Sequence, residues 1–462
     1  MRNIISCTTY HTAFALTALS LATSALAGEL KIHAINVGWG QAVLVEGPNG
    51  TKLMFDTGLG TKKDVVVNYL KNHGIAQLDH LIISHNHADH AGSAEFVVRA
   101  TKPKNSYFSG SKENMSADFM KSWFAAYGEV KMPKPTAMQL GYKIDLGDGA
   151  TATAVAADCK VVHQAEVIAK LTKNQPGYVF PRCASANDAS IVMLIKYKGF
   201  DYLVSGDLGG HEQNGQSDFE TPVVTALMLA SEPELKIPNK GIDVLHLGHH
   251  GSRTSSNAVY AKLGGPEVAL VSVGPNQSHG LPNVEAIQPL LDLGTLVLQT
   301  DEGDLGDSRA FKGGFTVGSI LIRTDGAKYT VDADPSTLDL VKQPNTVSDY
   351  KKAGLPFTRL VDGGGVPPVL DKANPTATAS LTGSGASVVL KAAVADDVGV
   401  TQVDFLIDGK VVATQNFNPA MKRSQVTQTY NASKLNSAKH SYQAKVSDAS
   451  GKTGLSLPIT VK

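Results

Sequence analysis

The chain has 462 residues, of which 42% are hydrophobic and 18% charged, with 42 basic and 42 acidic side chains. At about 100–200 residues per domain, this length predicts two or three domains. The balanced charge excludes a disordered polyelectrolyte and a basic protein that coats nucleic acid, and the composition excludes a collagen, a coiled coil or a bundle of membrane helices.

Residues 1–27 have the pattern of a cleaved secretory signal peptide. Arg2 precedes an apolar run from Ala13 to Ala27 that ends in the small-residue cleavage site Ala25-Leu26-Ala27. An uncleaved membrane anchor is the alternative, but about 15 apolar residues are fewer than the roughly 20 that a spanning helix needs. We therefore expect an exported protein, periplasmic or extracellular, with no integral membrane segment after cleavage.

Two cysteines, Cys159 and Cys183, remain after residue 27. Because an exported protein enters an oxidising compartment, these residues are predicted to form one disulfide. Two free buried thiols are the alternative. A zinc knuckle built on Cys159 and His163 lacks a second pair of ligands at finger spacing.

The segment 28–335 mixes strand and helix patterns and is predicted to be an α/β domain. Its first strand spans 30–37, with Leu30, Ile32 and Ala34 on one face and Lys31 and His33 on the other. The next elements are two strands, a helix with Val65, Val66, Tyr69 and Leu70 on its apolar face, and a short buried strand, at 41–45, 52–55, 61–73 and 81–83.

A second domain is predicted at 368–462, after a linker at 336–367 that ends in a Gly- and Pro-rich stretch. Strand-like runs around an Asp408-Gly409 hairpin turn indicate an all-β sandwich. The segments 395–400, 403–405 and 447–451 resemble the bacterial immunoglobulin-like modules of secreted hydrolases. This resemblance implies a spacer or adhesion module that contacts the cell envelope or a glycan.

Three histidines and one aspartate follow the strand at 81–83, in the run His85-Asn86-His87-Ala88-Asp89-His90. Imidazole nitrogens and carboxylate oxygens suit Zn²⁺ and related ions, and one loop can supply two adjacent metals. A solvated polar loop is the alternative. Further candidate ligands also follow predicted strands, and such strand ends converge in α/β folds, so the pattern favours a dinuclear site. These candidates are Asp207, His249, His250 and His279.

This loop, together with Asp56-Thr57-Gly58, Ser205-Gly206-Asp207 and His249-His250-Gly251-Ser252, resembles the metallo-β-lactamase superfamily. More narrowly, the segments 36–42, 248–256 and 272–276 are similar to the soluble hydrolase domain of ComEC-type DNA-uptake proteins. The resemblance covers about residues 30–330 and implies an αββα sandwich with two divalent metals at one edge, between the sheets.

The resemblance also implies roles for individual residues. The metal ligands would be His85 and His87 for the first ion, Asp89, His90 and His250 for the second, and Asp207 for both. Asp56 would orient a ligand histidine. His249 would orient the site or contact substrate, and either it or His279 would protonate the leaving group. Ser252, Arg253 and Thr254 would contact a phosphate.

This chain departs from the superfamily pattern at three places. Many members supply a further histidine to the first metal where this chain has the segment 187–190, so Asp188 or His163 is expected to replace it. Gln41 stands where ComEC-type domains carry Asp, and Arg253 where they carry Lys. The ions are expected to be Zn²⁺, with Mn²⁺ as the alternative.

The function expected from these residues is that of an exported metal-dependent phosphodiesterase or nuclease. A metal-bound hydroxide would attack a phosphodiester of nucleic acid or of an envelope component. No linear basic run is present, which disfavours a grip on long duplexes. The alternatives are a hydrolase of a lactam, lactone or other carboxyl derivative and, in another class, a surface-binding protein with a structural metal site.

Overall fold

The computed structural model describes residues 28–461 apart from 213–214, 239–240, 276–277, 312, 335–348, 362–373, 384–385, 437 and 449–451. The signal peptide expected at 1–27 and much of the linker expected at 336–367 therefore lie outside the described residues. No helix in the described part of the chain is long and apolar enough to cross a membrane.

The first half of the α/β region forms strands β1 (Leu30–Ala34), β2 (Val43–Glu46), β3 (Lys52–Phe55), β4 (His80–Ile83), β5 (Asn105–Phe108) and β6 (Thr136–Ala137). Its helices are α1 (Lys63–Asn72), α2 (Ala88–Ala91), α3 (Ala94–Thr101) and α4 (Asp118–Val130).

The second half forms strands β7 (Lys143–Gly147), β8 (Ala150–Ala157), β9 (Lys160–Val161), β10 (Val192–Tyr197), β11 (Phe200–Ser205), β12 (Val244–His246), β13 (Val268–Val271), β14 (Leu296–Gln299) and β15 (Phe315–Thr316). Its helices are α5 (Gln164–Asn174), α6 (Glu220–Leu229), α7 (Ala258–Gly264) and α8 (Val284–Asp292). Three strands complete the region: β16 (Ile320–Thr324), β17 (Lys328–Ala333) and β18 (Phe357–Leu360).

Two sheets and two helical layers make up this region. One sheet has the order β18-β17-β16-β1-β2-β3-β4-β5-β6, and the other runs β15-β14-β13-β12-β11-β10-β8-β7, with β9 beside β8. Side chains of both sheets, including Ile32 and Tyr202, share one buried apolar cluster. Two further clusters lie between the sheets and the helices, as for Trp123 of α4 and Val223 of α6. The layers are therefore αββα, as predicted.

Local patterns account for most of the first sheet. Leu30, Ile32 and Ala34 face the second sheet, so His33 points to the helical side, as predicted. On α1, Val66 and Tyr69 are buried, but Val65 is 43% exposed, and its predicted place on the apolar face is wrong. At 100° per residue, Val65 falls outside the stripe that faces the sheet.

A disulfide and an additional edge strand fix two of the connecting segments. Cys159 and Cys183 form a disulfide with their Cα atoms 5.4 Å apart, which confirms that prediction. Residues 357–360, inside the segment expected to be a linker, form β18 and pair with β17. That part of the linker prediction is corrected, because this backbone completes its hydrogen bonds at the edge of the first sheet.

The C-terminal region is all β, as predicted. Its strands are β19 (Thr376–Thr382), β20 (Ser387–Ile407), β21 (Lys410–Asn431), β22 (Ser441–Asp448), β23 (Thr453–Leu455) and β24 (Ile459–Thr460). β19 lies against β22 without pairing with it, and both halves of β20 bury side chains such as Leu390 and Phe405 in one cluster. The Asp408-Gly409 turn has positive φ at both residues, 48° and 76°, as a two-residue type I′ hairpin requires.

Candidate metal centre

The candidate site lies where parallel strands of both sheets end. β4 pairs in parallel with β3, which places Asp56 beside the start of the loop from Ser84 to His90. In the facing sheet, β11 and β12 are parallel neighbours, so Asp207 and the pair His249-His250 emerge side by side. Gly206 allows this approach, because a Cβ at that position would collide with the side chain of Ser84.

One group of donor atoms is formed by Asp89, His90, Asp207 and His250, all buried, with the atoms within 4.8 Å of one another. The Nε2 atom of His90 lies 3.0 Å from Oδ1 of Asp207 and 3.2 Å from Nε2 of His250. The Nε2 atom of His250 lies 3.1 Å from Oδ2 of Asp89. Two imidazoles and two carboxylates are a donor set that suits a divalent transition metal.

A second group, His85, His87 and Asp207, shares the same aspartate. Nε2 of His85 lies 3.0 Å from Nδ1 of His87 and 3.7 Å from Oδ2 of Asp207. The two oxygens of Asp207 thus face different groups, which is the arrangement of a carboxylate that bridges two ions.

The hydrogen bonds behind the ligands decide which nitrogens carry protons. Nδ1 of His90 donates to Oδ2 of Asp56 at 2.7 Å, and Nδ1 of His250 donates to the carbonyl of Ser272 at 2.8 Å. Both Nε2 lone pairs then face each other, and they repel unless a proton or a cation lies between them. Oδ1 of Asp207, also buried, accepts no hydrogen bond from the described residues. These atoms fit a metal ion at the centre of the group.

Ser84 extends this support to the second group. Its hydroxyl donates to Oδ2 of Asp56 at 2.7 Å, so its oxygen can accept a proton from Nδ1 of His85, which lies 3.0 Å away. Nε2 of His85 is left unprotonated and directed at Asp207. Asp56, fully buried, therefore orients His90 directly and His85 through Ser84.

Electrostatics draws positive charge into the site. Burial lowers the pKa of His90, but the carboxylates of Asp207, Asp56 and Asp89 outweigh burial and raise it well above its usual range. Burial raises the pKa of Asp207, but the surrounding imidazoles, His90 first, hold it well below its usual range. Burial, reinforced by His90, lowers the pKa of His85. Asp207 is therefore ionised, and the centre favours a cation.

The structure separates the two adjacent histidines, of which the resemblance implied His250 as the metal ligand. His249 and His250 both have left-handed backbone, with φ of 51° and 54°, so that both rings point inward. Such backbone costs about 1–3 kcal/mol per residue and persists where the surroundings hold it. His250 joins Asp89 and His90, whereas Nε2 of His249 lies 3.7 Å from Oδ2 of Asp207, on the side of the second group.

Asp188 and His163 do not occupy the place expected of them. The carboxylate of Asp188 accepts backbone N–H groups of Ala184 and Ser217, at 2.9 and 3.0 Å, and shapes the loop behind the site. His163 directly precedes α5, and its Nε2 lies 3.2 Å from Oε2 of Glu232. Neither side chain belongs to the metal groups found among the described residues, because backbone N–H groups hold Asp188 and an ion pair holds His163.

Members of both donor groups line a cleft of about 590 Å³. The predicted substrate contacts Ser252, Arg253 and Thr254 line it, as does His279, whose exposed ring lies 5.9 Å from the ring of Trp39. Sequence reasoning missed several other lining residues, among them Trp39, Asn187, Gln216 and Phe119. It also missed Ser84, although its position directly before His85 was a local signal.

Two family models match the chain. Residues 36–157 match the model of the metallo-beta-lactamase superfamily, and residues 368–444 match that of the bacterial Ig domain. The αββα layers and the candidate metal cluster thus accompany a match to the metallo-beta-lactamase superfamily over residues 36–157, and a match to a bacterial Ig domain follows.

Among curated proteins, the chain is similar to two ComEC-type relatives. ComE operon protein 3 of Bacillus subtilis is 25% identical over 60% of this chain and 32% of its own length. Recombination protein 2 of Haemophilus influenzae is 23% identical over 56% of this chain and 26% of its own length. The match thus spans about a third or less of each relative.

Solved structures show low overall similarity. The Zn²⁺-bound PqqB from Methylobacterium extorquens aligns at 11% identity over 56% of this chain and 75% of its own, with a TM-score of 0.29. The metallo-β-lactamase FIM-1 from Pseudomonas aeruginosa, in its mono-zinc form, aligns at 11% identity over 44% and 76%, with a TM-score of 0.25.

Proposed function

We propose that this protein is an exported metal-dependent phosphodiesterase or nuclease. The observation that carries the proposal is the buried set of imidazoles on either side of Asp207, at the floor of an open cleft. Export is supported by the apolar run at 13–27 and by the disulfide, which is typical of oxidising compartments. The similarity to ComEC-type DNA-uptake proteins favours a phosphodiester over other substrates.

Two divalent ions, Zn²⁺ or Mn²⁺, would activate a water molecule and neutralise the charge that develops on a phosphoryl group. Asp89, His90 and His250 would hold one ion, and His85 and His87 the other, with Asp207 between them. His249 completes the second set in this proposal, because its Nδ1 lies 2.8 Å from the hydroxyl of Thr254 while its Nε2 faces Asp207.

The cleft walls are assigned to substrate. The guanidinium of Arg253 and the hydroxyls of Ser252 and Thr254 line the cleft and suit the non-bridging oxygens of a phosphate. His279 is exposed beside Trp39 and is free of the ligand groups, so we assign it the protonation of the leaving oxygen. Trp39 offers a flat face on which a nucleobase could stack.

The test is hydrolysis of bis-p-nitrophenyl phosphate and of single-stranded DNA by the chain 28–462 with added Mn²⁺ or Zn²⁺. Asp207→Ala is expected to lower kcat by at least about a thousandfold, since it removes a ligand of both ions. The control is Asp292→Ala, an exposed carboxylate on α8 that pairs only with Gln288 among the hydrogen bonds observed. It should leave kcat unchanged.

The outcomes separate the candidate functions. Loss of activity in Asp207→Ala alone supports the phosphodiesterase, and cleavage of DNA separates a nuclease from an enzyme of the envelope. Full metal loading without phosphodiester turnover overturns the proposal and directs the search to lactams, lactones and other carboxyl derivatives. A wild-type protein that holds its metal but hydrolyses neither phosphodiesters nor carboxyl derivatives favours the surface-binding alternative, in which the metal is structural.

A further inference from the structure

A third cluster of metal-ligating side chains lies outside the site described above. His33 on β1, His73 directly after α1 and Asp334 directly after β17 bring donor atoms within 4.8 Å of one another, and they share no residue with the other two groups. His33 and Asp334 are each 1% exposed, and His73 lies at the rim with its side chain 17% exposed. The cluster is on the face of the first sheet that α1 covers.

The distances between the donor atoms suit a tetrahedral ion. Nε2 of His73 lies 2.9 Å from Oδ2 of Asp334, and Nδ1 of His33 lies 3.8 Å from the same oxygen. Four ligands at about 2.0–2.1 Å from a zinc ion are separated from one another by roughly 3.3 Å. The two separations from Asp334 bracket that value, and all three donor atoms lie within 4.8 Å of one another, so side-chain adjustments would place one ion in contact with all three atoms.

The surroundings of His33 provide an independent observation. Its other ring nitrogen, Nε2, lies 3.2 Å from Oε1 of Glu46. A carboxylate also lies behind His90 in the candidate metal centre, where Asp56 accepts from Nδ1 while Nε2 faces Asp207 and His250. Tyr69 supports the remaining ligand, because its hydroxyl donates to Oδ2 of Asp334.

We propose that His33, His73 and Asp334 bind one divalent transition-metal ion that ties the end of α1 to the first sheet. A solvent molecule at the His73 rim would complete the coordination. Binding displaces the proton on Nδ1 of His33, which otherwise faces the hydroxyl of Tyr69 at 2.9 Å, while the Nε2 proton stays directed at Glu46. The charge on the ion offsets the cost of burying the carboxylate of Asp334.

The test counts metal ions. The chain 28–462 is dialysed against a chelator and titrated with Co²⁺ alone, and bound cobalt is measured by elemental analysis and by its visible spectrum. His73→Ala and Asp334→Asn should each bind one equivalent fewer than the wild type, or bind that equivalent at least tenfold more weakly. His163→Asn is the matched control, because it removes a partly exposed histidine outside the cluster and Asn tolerates its left-handed backbone.

A second readout separates this ion from the active-site ions. In an Asp207→Ala background, Co²⁺ should still raise the melting temperature, and adding His73→Ala should abolish that rise. Should Asp334→Asn fail to fold, His73→Ala keeps the test intact because His73 lies at the rim. Equal cobalt content and an equal rise in melting temperature with and without His73 would overturn the proposal and leave the cluster as a hydrogen-bonded network.

Discussion

Asp56 makes a sharp prediction, because its carboxylate orients ligands without touching the cleft. It is fully buried and accepts three hydrogen bonds of 2.7 Å, from the backbone N–H and hydroxyl of Ser84 and from Nδ1 of His90. Asp56→Asn keeps the shape of the side chain, and Asn tolerates the left-handed backbone at this position, where φ is 60°. The substitution therefore changes only charge and proton count.

The expected magnitude follows from the lost acceptor. With its oxygen on the Ser84 N–H, the new amide directs its NH₂ group at Nδ1 of His90. His90 must then carry its proton on Nε2, the nitrogen that faces Asp207 and His250. Loss of such a supporting carboxylate lowers metal affinity about 10- to 100-fold, or about 1.4–2.7 kcal/mol.

The assay is a competition titration of Zn²⁺ against a chromophoric chelator, with circular dichroism to show that the variant is folded. Asp79→Asn is the control, since the Asp79 carboxylate also accepts a strand N–H, that of Lys52 at 2.8 Å, and forms an ion pair with Lys104. A folded Asp56→Asn protein with wild-type Zn²⁺ affinity would refute the argument that the hydrogen bond to Asp56 determines which nitrogen of His90 carries the proton.

Three further predictions concern stability and substrate binding. Replacing Cys159 and Cys183 with serine should lower the free energy of unfolding by about 3 kcal/mol, measured by denaturant titration; an unchanged midpoint would contradict this. Burial raises the pKa of the Glu220 carboxyl to about 8 from a usual value of 4.5. The protonated carboxyl therefore adds to the free energy of unfolding below about pH 4.5, and this contribution, at most about 5 kcal/mol, is lost as pH rises towards 8. The Glu220→Gln variant should lack that pH dependence, and parallel stability profiles of the two proteins would count against it. Arg253→Gln should raise KM for a phosphodiester about tenfold with a smaller change in kcat. Arg309→Gln should have less effect, because the guanidinium of Arg309 pairs with Asp307. Equal effects of the two substitutions would contradict a role of Arg253 in substrate binding.

Much of the architecture could be predicted because its causes are local. The alternation of apolar residues predicted that His33 and Ile32 lie on opposite faces of β1, and the pair Asp408-Gly409 predicted a hairpin turn, since each effect acts within a few residues. The loop from His85 to His90 could be recognised for the same reason. Its ligand types and spacing lie within six positions of a strand end.

Other predictions failed or stayed open because their causes lie far along the chain. Asp188 has the right side chain for a metal but is held by backbone N–H groups that include Ser217, from a loop 29 residues away. Residues 357–360 were expected in the linker, and their pairing with β17, a contact outside the local sequence, makes them a strand.

The sequence by itself predicted an α/β region followed by an all-β one, and it contains the ligand types of the loop from His85 to His90, because periodicity, turn chemistry and ligand density are properties of neighbouring residues. The αββα layers were implied by the resemblance to the metallo-β-lactamase superfamily. Tertiary structure alone decided which imidazole faces which carboxylate. It turned His249 and His250 toward different ligands through an unusual backbone, and it joined His33 to Asp334 across some 300 residues. Those outcomes depend on how strands from distant segments align in the sheets, and nothing within a short window of sequence encodes that alignment.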